Sequence, residues 1–323
     1  MKIRITALLC LLCLGSFAIN AADNWKRDIY VAQDGSGDYK TITEALEGIR
    51  AYMEYDVTVH IADGVYYEKI IIPSWLKNVS FVGQSPEGTI ITNADHAKIG
   101  NMGTFRTYTV RVDGSDIRFS NLTIENNAPR VGQAVALHTE GDALEFTNCR
   151  LLGNQDTLFT GGKNTRLFFD NCYIEGTTDF IFGPATAYFK DCTIHSKTNS
   201  YITAASTPED VEVGYVFDNC RLTADPGVDK VYLGRPWRPY AHTVFINCDM
   251  GSHILPVGWH NWSNTDNEKT SRYGEYGSKG PGANADARVK WAKNPTADEA
   301  ARLLDLAKVY TRSTTWTPRQ AGN

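Results

Sequence analysis

An all-β fold, a solenoid of short stacked strands, is predicted by three observations. A six-residue pattern, Phe-x-Asn/Asp-Cys/Leu-x-apolar, starts at Phe119, Phe146, Phe169, Phe189, Phe217 and Phe245. The steps between copies are 27, 23, 20, 28 and 28 residues, and a period in the twenties is a mark of stacked repeats. Between the copies run short β-type segments broken by turn residues, with no helical periodicity. Leucine-rich repeats share the period, but their leucine-dense consensus is absent.

In such a solenoid each coil stacks on the last at the inter-strand distance, ~4.8 Å, so every repeat position becomes a column. The phenylalanines are expected to form one column inside. The Asn/Asp side chains form another at the bend, where they can hydrogen-bond neighbouring backbone. A third holds Cys149, Cys172, Cys192, Cys220 and Cys248. Stacked residues keep their Cβ atoms nearly a strand spacing apart, whereas a disulfide needs ~3.8 Å. Small buried reduced thiols are therefore the expectation.

Residues 1–22 read as an export signal rather than fold. Lys2 and Arg4 precede an apolar run from Ala7 to Phe17, and small residues follow at Ala21 and Ala22. The run is too short and wrongly flanked for a membrane anchor. Residues 23–323 are then expected to form one domain, because no low-complexity linker interrupts them. Without Lys2 and Arg4 the chain holds 30 basic and 37 acidic residues, net -7. A nucleic-acid partner, which needs a basic stripe, is excluded on that ground.

The first strand is expected at Asp28–Ala32. The glycine-rich turn Asp34-Gly-Ser-Gly-Asp38 has no Lys-Ser/Thr pair after it and is not read as a phosphate loop. Thr41 and Glu44 can form a capping box, and Ile42, Ala45, Leu46, Ile49 and Met53 follow at helical spacing. Short strands are then expected over 57–61, 66–72, 79–82, 89–92 and 107–112. After Trp262 the repeat stops. Thr296 and Glu299 form a second capping box, and Ala300, Leu303, Leu304, Leu306, Ala307 and Tyr310 predict a C-terminal helix covering the solenoid's end or flank.

The coil length also serves as a ruler. Gln133 lies 22 residues before Gln155, Asp156 lies 23 before Asp179, and Asp179 lies 56 before Arg235, two coils of 28. On a solenoid those spacings set four polar segments side by side on one outer face. Gln155 and Asp156 are adjacent, so both can face one site only if the backbone turns there. Carboxylates on neighbouring coils repel, and one tends to keep its proton. An arginine beside Asp179 would hold that one ionised, leaving Asp156 as the protonated partner. Ester hydrolysis needs a nucleophile, a proton donor and an oxyanion clamp, and these residues can supply all three without serine or histidine.

The motifs Gly64-x-Tyr66-x-Glu68, Gln133-Ala-Val-Ala-Leu137, Gly153-Asn-Gln-Asp-Thr-Leu158, Asp179-Phe-Ile-Phe-Gly183 and Leu233-Gly-Arg-Pro-Trp237 occur in that order. Through them the chain resembles pectin methylesterases, carbohydrate esterases built on a right-handed parallel β-helix, over residues 28 to 292. The resemblance implies a right-handed parallel β-helix with short N- and C-terminal capping helices. It implies hydrolysis of the methyl esters of homogalacturonan to pectate and methanol, with no cofactor and no metal. By the same resemblance Asp179 is the nucleophile, Asp156 the proton donor and then base, and Gln133 and Gln155 the oxyanion donors. Arg235 orients Asp179, and Trp237 belongs to a sugar platform. Thr104, Phe105, Phe182 and Tyr240 are expected along the substrate cleft. Thr178 departs from the hydrophobic residue common before the nucleophile, which bears on subsite preference. Tyr66 and Glu68 are read as structural. The expected state is a monomer that is periplasmic or secreted. The competing readings are a related β-helix esterase or thioesterase with another substrate, a pectate lyase or polygalacturonase, and a non-catalytic carbohydrate-binding solenoid. The Asn264-Thr-Asp266 triplet resembles a fragment of polygalacturonase chemistry, without its companion acids and histidine.

Overall fold

The computed structural model describes residues 25–311 and 316–319; the expected export signal at 1–22 lies outside the described residues. The chain winds into a right-handed parallel β-helix. Three sheets form its faces, of ten, eight and seven strands, and successive coils contribute neighbouring parallel strands to each. No helix among the described residues is long and apolar enough to cross a membrane.

The repeat is the core. Phe119, Phe146, Phe169, Phe189, Phe217 and Phe245 pair one with the next across the ten-stranded sheet. Their rings stack with centroids 4.4 to 5.2 Å apart, close to the strand spacing itself. Phe81 extends the column by one rung, pairing with Phe119. The Asn/Asp column has a stronger reason than side-chain bonding. Asn121, Asn148, Asn171, Asp191, Asn219 and Asn247 all take φ between 50° and 56°, the left-handed region that Asn and Asp tolerate best after glycine. The Asn148 amide donates to Asn121 at 2.8 Å, and that of Asn219 donates to Asp191 at 2.6 Å. The five column cysteines are free and buried.

Elsewhere the structure corrects the sequence reading. Residues 66–72 are not one strand: Gly64–Tyr67 and Ile70–Ile72 belong to different sheets, with a corner at Glu68 and Lys69. Glu68 turns outward there and accepts the Ile42 and Thr43 backbone N–H groups, capping the helix Ile42–Glu47. Tyr66 is buried and donates to the Ala62 carbonyl, so both residues are structural, as expected. Only Val110–Val112 of the segment 107–112 is strand.

The β-helix also continues past Trp262. Strand Arg272–Tyr276 joins the ten-stranded sheet, and Glu275 pairs with Phe245 in the phenylalanine column. Its carboxylate is buried and neutralised by Arg288 at 2.9 Å, the pairing a buried charge demands. The C-terminal helical stretch breaks into Ala297–Leu303 and Leu306–Val309, with Asp305 capping the second. Ala300, Leu303, Val309 and Tyr310 pack on Phe168, Tyr188, Val216, Val244 and Ile246, side chains that alternate with the inward phenylalanines. The helices therefore cover the flank of the ten-stranded sheet.

Phe189 is fully buried and stacked on both sides. Phe189→Ala is expected to cost ~3–5 kcal/mol of stability, read as a lower midpoint in urea unfolding.

Candidate active site

Asp156 and Asp179 each stand two residues before a strand of the seven-stranded sheet, and Leu158 pairs with Ile181 across those strands. The register therefore brings the two carboxylates to one place. Each acid has a left-handed backbone, φ 66° for Asp156 and 50° for Asp179. This is the turn that the adjacency of Gln155 and Asp156 called for. The Asp156 N–H donates to the Thr178 carbonyl at 3.1 Å and the Asp179 N–H to that of Tyr201 at 2.8 Å, so each corner is tied to the next coil. Gly183 closes the motif with φ 133°, and a Cβ there would run into the Thr160 carbonyl.

Gln133 and Gln155 form a parallel bridge with each other at the same corner. Among the described residues neither side-chain amide has a hydrogen-bonded protein partner, and both line the cleft. Thr104 and Phe105 arrive on a long excursion between strands Thr89–Asn93 and Val110–Val112, in the single turn Thr104–Arg106. The cleft they close encloses about 250 Å³. Phe182 and Trp237 line it too, their rings edge to face at 5.9 Å. Tyr240 is not among the lining residues, and its hydroxyl is pushed up by the nearby Glu209 carboxylate. Asp266 lies in the exposed helix Asp266–Thr270, paired with Lys269, and does not line the cleft either.

Arg235 grips Asp179 with both prongs, Nε to Oδ1 at 2.9 Å and Nη2 to Oδ2 at 2.6 Å. The 28-residue spacing is not what brings it there. The rungs run Ile181–Thr203–Gly234, and the Asp179 N–H bonds to the carbonyl of Tyr201, whose rung partner is Tyr232. Arg235 stands three residues beyond Tyr232, anchored by its N–H to the Thr203 carbonyl, and reaches back along the coils. Its guanidinium sits between two rings, 3.9 Å from the Tyr201 centroid and 3.7 Å from that of Trp262.

Both carboxylates are buried. Burial and the neighbouring Asp179 charge push Asp156 well above the ordinary carboxylate range, with only a partial offset from Arg235. Burial also raises Asp179, but there the Arg235 fork pulls it back. Asp156 is thus the acid that keeps its proton, and Asp179 the one that ionises first. Burial weighs more on Asp179 than the sequence suggested, where the arginine alone was expected to decide. A buried ionisable carboxylate, a protonated carboxyl and two free amides can together carry out acyl transfer. Among the described residues no cluster of His, Cys, Asp and Glu is arranged to hold a metal ion.

Sequence reasoning missed Trp262, Tyr201 and Phe159. Phe159 had a signal: it pairs with Phe182 one coil on and lies under the same aromatic floor. Trp262 follows the last repeat, with φ 61° and outside the named strands, so no ruler reached it.

Fold and site together define a carboxylic ester hydrolase built on a parallel β-helix. A family model for pectinesterase matches residues 28–310. Pectinesterase 31 of Arabidopsis thaliana is 37% identical over 289 residues, covering 86% of this chain and 90% of that protein. Several other Arabidopsis thaliana relatives carry both pectinesterase and pectinesterase inhibitor in their names, and the chain spans about half their length, 54% and 53% in two cases. Pectin methylesterase from carrot superimposes with a TM-score of 0.83 at 34% identity, over 87% of this chain and 92% of that one. A pectin methylesterase solved with a hexasaccharide superimposes at 0.77 and 28% identity, over 90% and 98%. The chain belongs to the pectinesterase family.

Arg235 lowers the Asp179 titration, so its removal must raise it. In Arg235→Ala the Asp179 carboxyl is expected to titrate at higher pH than in the parent, followed by carbon-13 NMR of labelled aspartate. An unchanged or lower midpoint would show that the fork does not set its ionisation.

Proposed function

We propose that the chain hydrolyses methyl esters of galacturonan, with Asp179 as nucleophile and Asp156 as acid and base. The observation that carries this reading is the pairing of a bidentate Arg235–Asp179 contact with a buried Asp156 whose carboxyl, among the described residues, has no hydrogen-bonded protein partner. Asp179 attacks the ester carbonyl carbon, and the carbonyl oxygen takes the electron pair. The amides of Gln133 and Gln155 donate to that oxyanion, a role that suits neutral donors because they leave the division of charge between the two acids undisturbed. The intermediate collapses by breaking the bond to the methoxy oxygen, which receives the Asp156 proton and departs as methanol. An anhydride between Asp179 and the sugar acid remains. Asp156, now a carboxylate, takes a proton from water as the water attacks the acyl carbon. The Asp179 carboxylate leaves, and Asp156 is again protonated.

The substrate class rests on the family and on the shape of the cleft. The relatives' names specify pectin, and one was solved with a hexasaccharide. Here an open cleft has an aromatic floor of Phe159 and Phe182 with Phe105, Trp237 and Trp262 around it, surfaces on which sugar faces can stack. Export is inferred from the apolar run at 7–17 behind Lys2 and Arg4.

The two titrations give the pH dependence. Activity needs Asp179 ionised, so it falls as pH drops through the Asp179 midpoint. It also needs Asp156 protonated, and the upward shift of that group keeps activity alive to higher pH than an ordinary carboxyl would. The test is methanol release from methyl-esterified oligogalacturonides, set against small acyl esters and thioesters. Wild-type protein is expected to release methanol with a bell-shaped pH profile. Asp179→Asn should abolish it with the fold intact, and Gln155→Ala should lower kcat by about 100- to 1000-fold. Absence of methanol across the pH range, or turnover retained in Asp179→Asn, would overturn the assignment.

A further inference from the structure

Arg235 forks onto Asp179 and not onto Asp156, so whatever holds Arg235 bears directly on how the two acids differ. An arginine on a cleft wall has many rotamers, and a bidentate contact is useful only if one is enforced. Two flat faces enforce it here. The guanidinium lies 3.9 Å from the Tyr201 ring centroid on one side and 3.7 Å from that of Trp262 on the other. A delocalised cation between two aromatic faces is held in its plane while its edge stays free for hydrogen bonds.

The Tyr201 ring and the chain at Trp262 are themselves held. Tyr201 stacks on Tyr232, one coil on, at 5.1 Å, and His260 meets both rings edge-on at 5.5 Å. The Trp262 backbone N–H donates to Nδ1 of His260 at 3.0 Å, and the His260 backbone N–H donates to the Gly234 carbonyl at 3.1 Å, which fixes the chain that carries the indole. Trp262 lines the cleft, whereas Tyr201 does not. Tyr201 has a second hold on the same pair: its carbonyl accepts the Asp179 N–H at 2.8 Å. One residue thus fixes the backbone of the acid and the plane of the arginine.

We propose that Tyr201 is a positioning residue for ester hydrolysis: its ring, with Trp262 opposite, clamps Arg235, and its carbonyl fixes the Asp179 corner, so the ion pair stays bidentate when substrate enters. The ring face does this work and the hydroxyl does not. The inference rests on the catalytic reading above, in which Asp179 must ionise. The charged and titratable groups facing the pair are Asp156 from the neighbouring coil, His260 beside Tyr201, and Tyr273, whose charge interaction reaches Asp179 from the core. None of them changes in the variants that test it.

The experiment compares wild type, Tyr201→Phe and Tyr201→Leu, with circular dichroism and thermal unfolding confirming the fold. Tyr201→Phe keeps the ring and should match wild type. Tyr201→Leu loses one face of the clamp, and its kcat for methanol release should fall about 10- to 100-fold with KM unchanged. The acid limb of its pH profile should move to higher pH, because a loosened Arg235 lowers Asp179 less. The carbon-13 titration of Asp179 should shift the same way. If wild type releases no methanol, the functional reading fails, and the carbon-13 titration still decides the clamp. If Tyr201→Leu titrates and turns over as wild type does, the clamp is wrong. A Tyr201→Phe variant as impaired as Tyr201→Leu would also overturn it, by moving the role to the hydroxyl.

Discussion

Parallel, in-register stacking of coils is the constraint on which everything else depends. Once neighbouring strands pair residue for residue, a position repeated in the sequence must become a column in space. Phenylalanines at strand spacing then stack ring on ring from Phe81 to Phe245. The same rule explains the cysteines. Each sits above the last at a distance set by the backbone, so the column is filled by small buried thiols. The corners obey it as well: six Asn or Asp residues repeat one left-handed conformation.

The site takes its shape from a variation on that corner. Asp156 and Asp179 also have left-handed backbones, at corners that face the cleft. Register sets them close together, and burial makes both reluctant to ionise. Arg235 breaks the symmetry because it can reach only one of them with two prongs. The difference in titration between two chemically identical groups therefore follows in part from where one guanidinium is held.

Much of this was legible in the sequence because a solenoid converts sequence spacing into spatial proximity. The 23-residue step from Asp156 to Asp179 is a true coil, as the pairing of Leu158 with Ile181 shows. The 56-residue step to Arg235 gave the right contact for the wrong reason, since the rungs run from Ile181 through Thr203 to Gly234 and not in two equal coils. Glu275 hid the last coil because a glutamate broke the Phe pattern, although Arg288 lets it occupy the same column. The run at 66–72 looked like one strand because a corner leaves little trace in a stretch of β-formers, and Glu68 was needed outside to cap a helix.

By itself the sequence determined the β-helix and the contents of its columns, because these depend on local residue type and period, and its motifs singled out Gln133, Gln155, Asp156, Asp179 and Arg235 as candidates. The tertiary structure alone decided the turn at Asp156 that aims it beside Gln155, the burial that raises both carboxyls, and the aromatic clamp on Arg235. These depend on loops and side-chain reach between coils of unequal length. Trp262 and Tyr201 meet on the two faces of one guanidinium through distances that no spacing in the chain encodes.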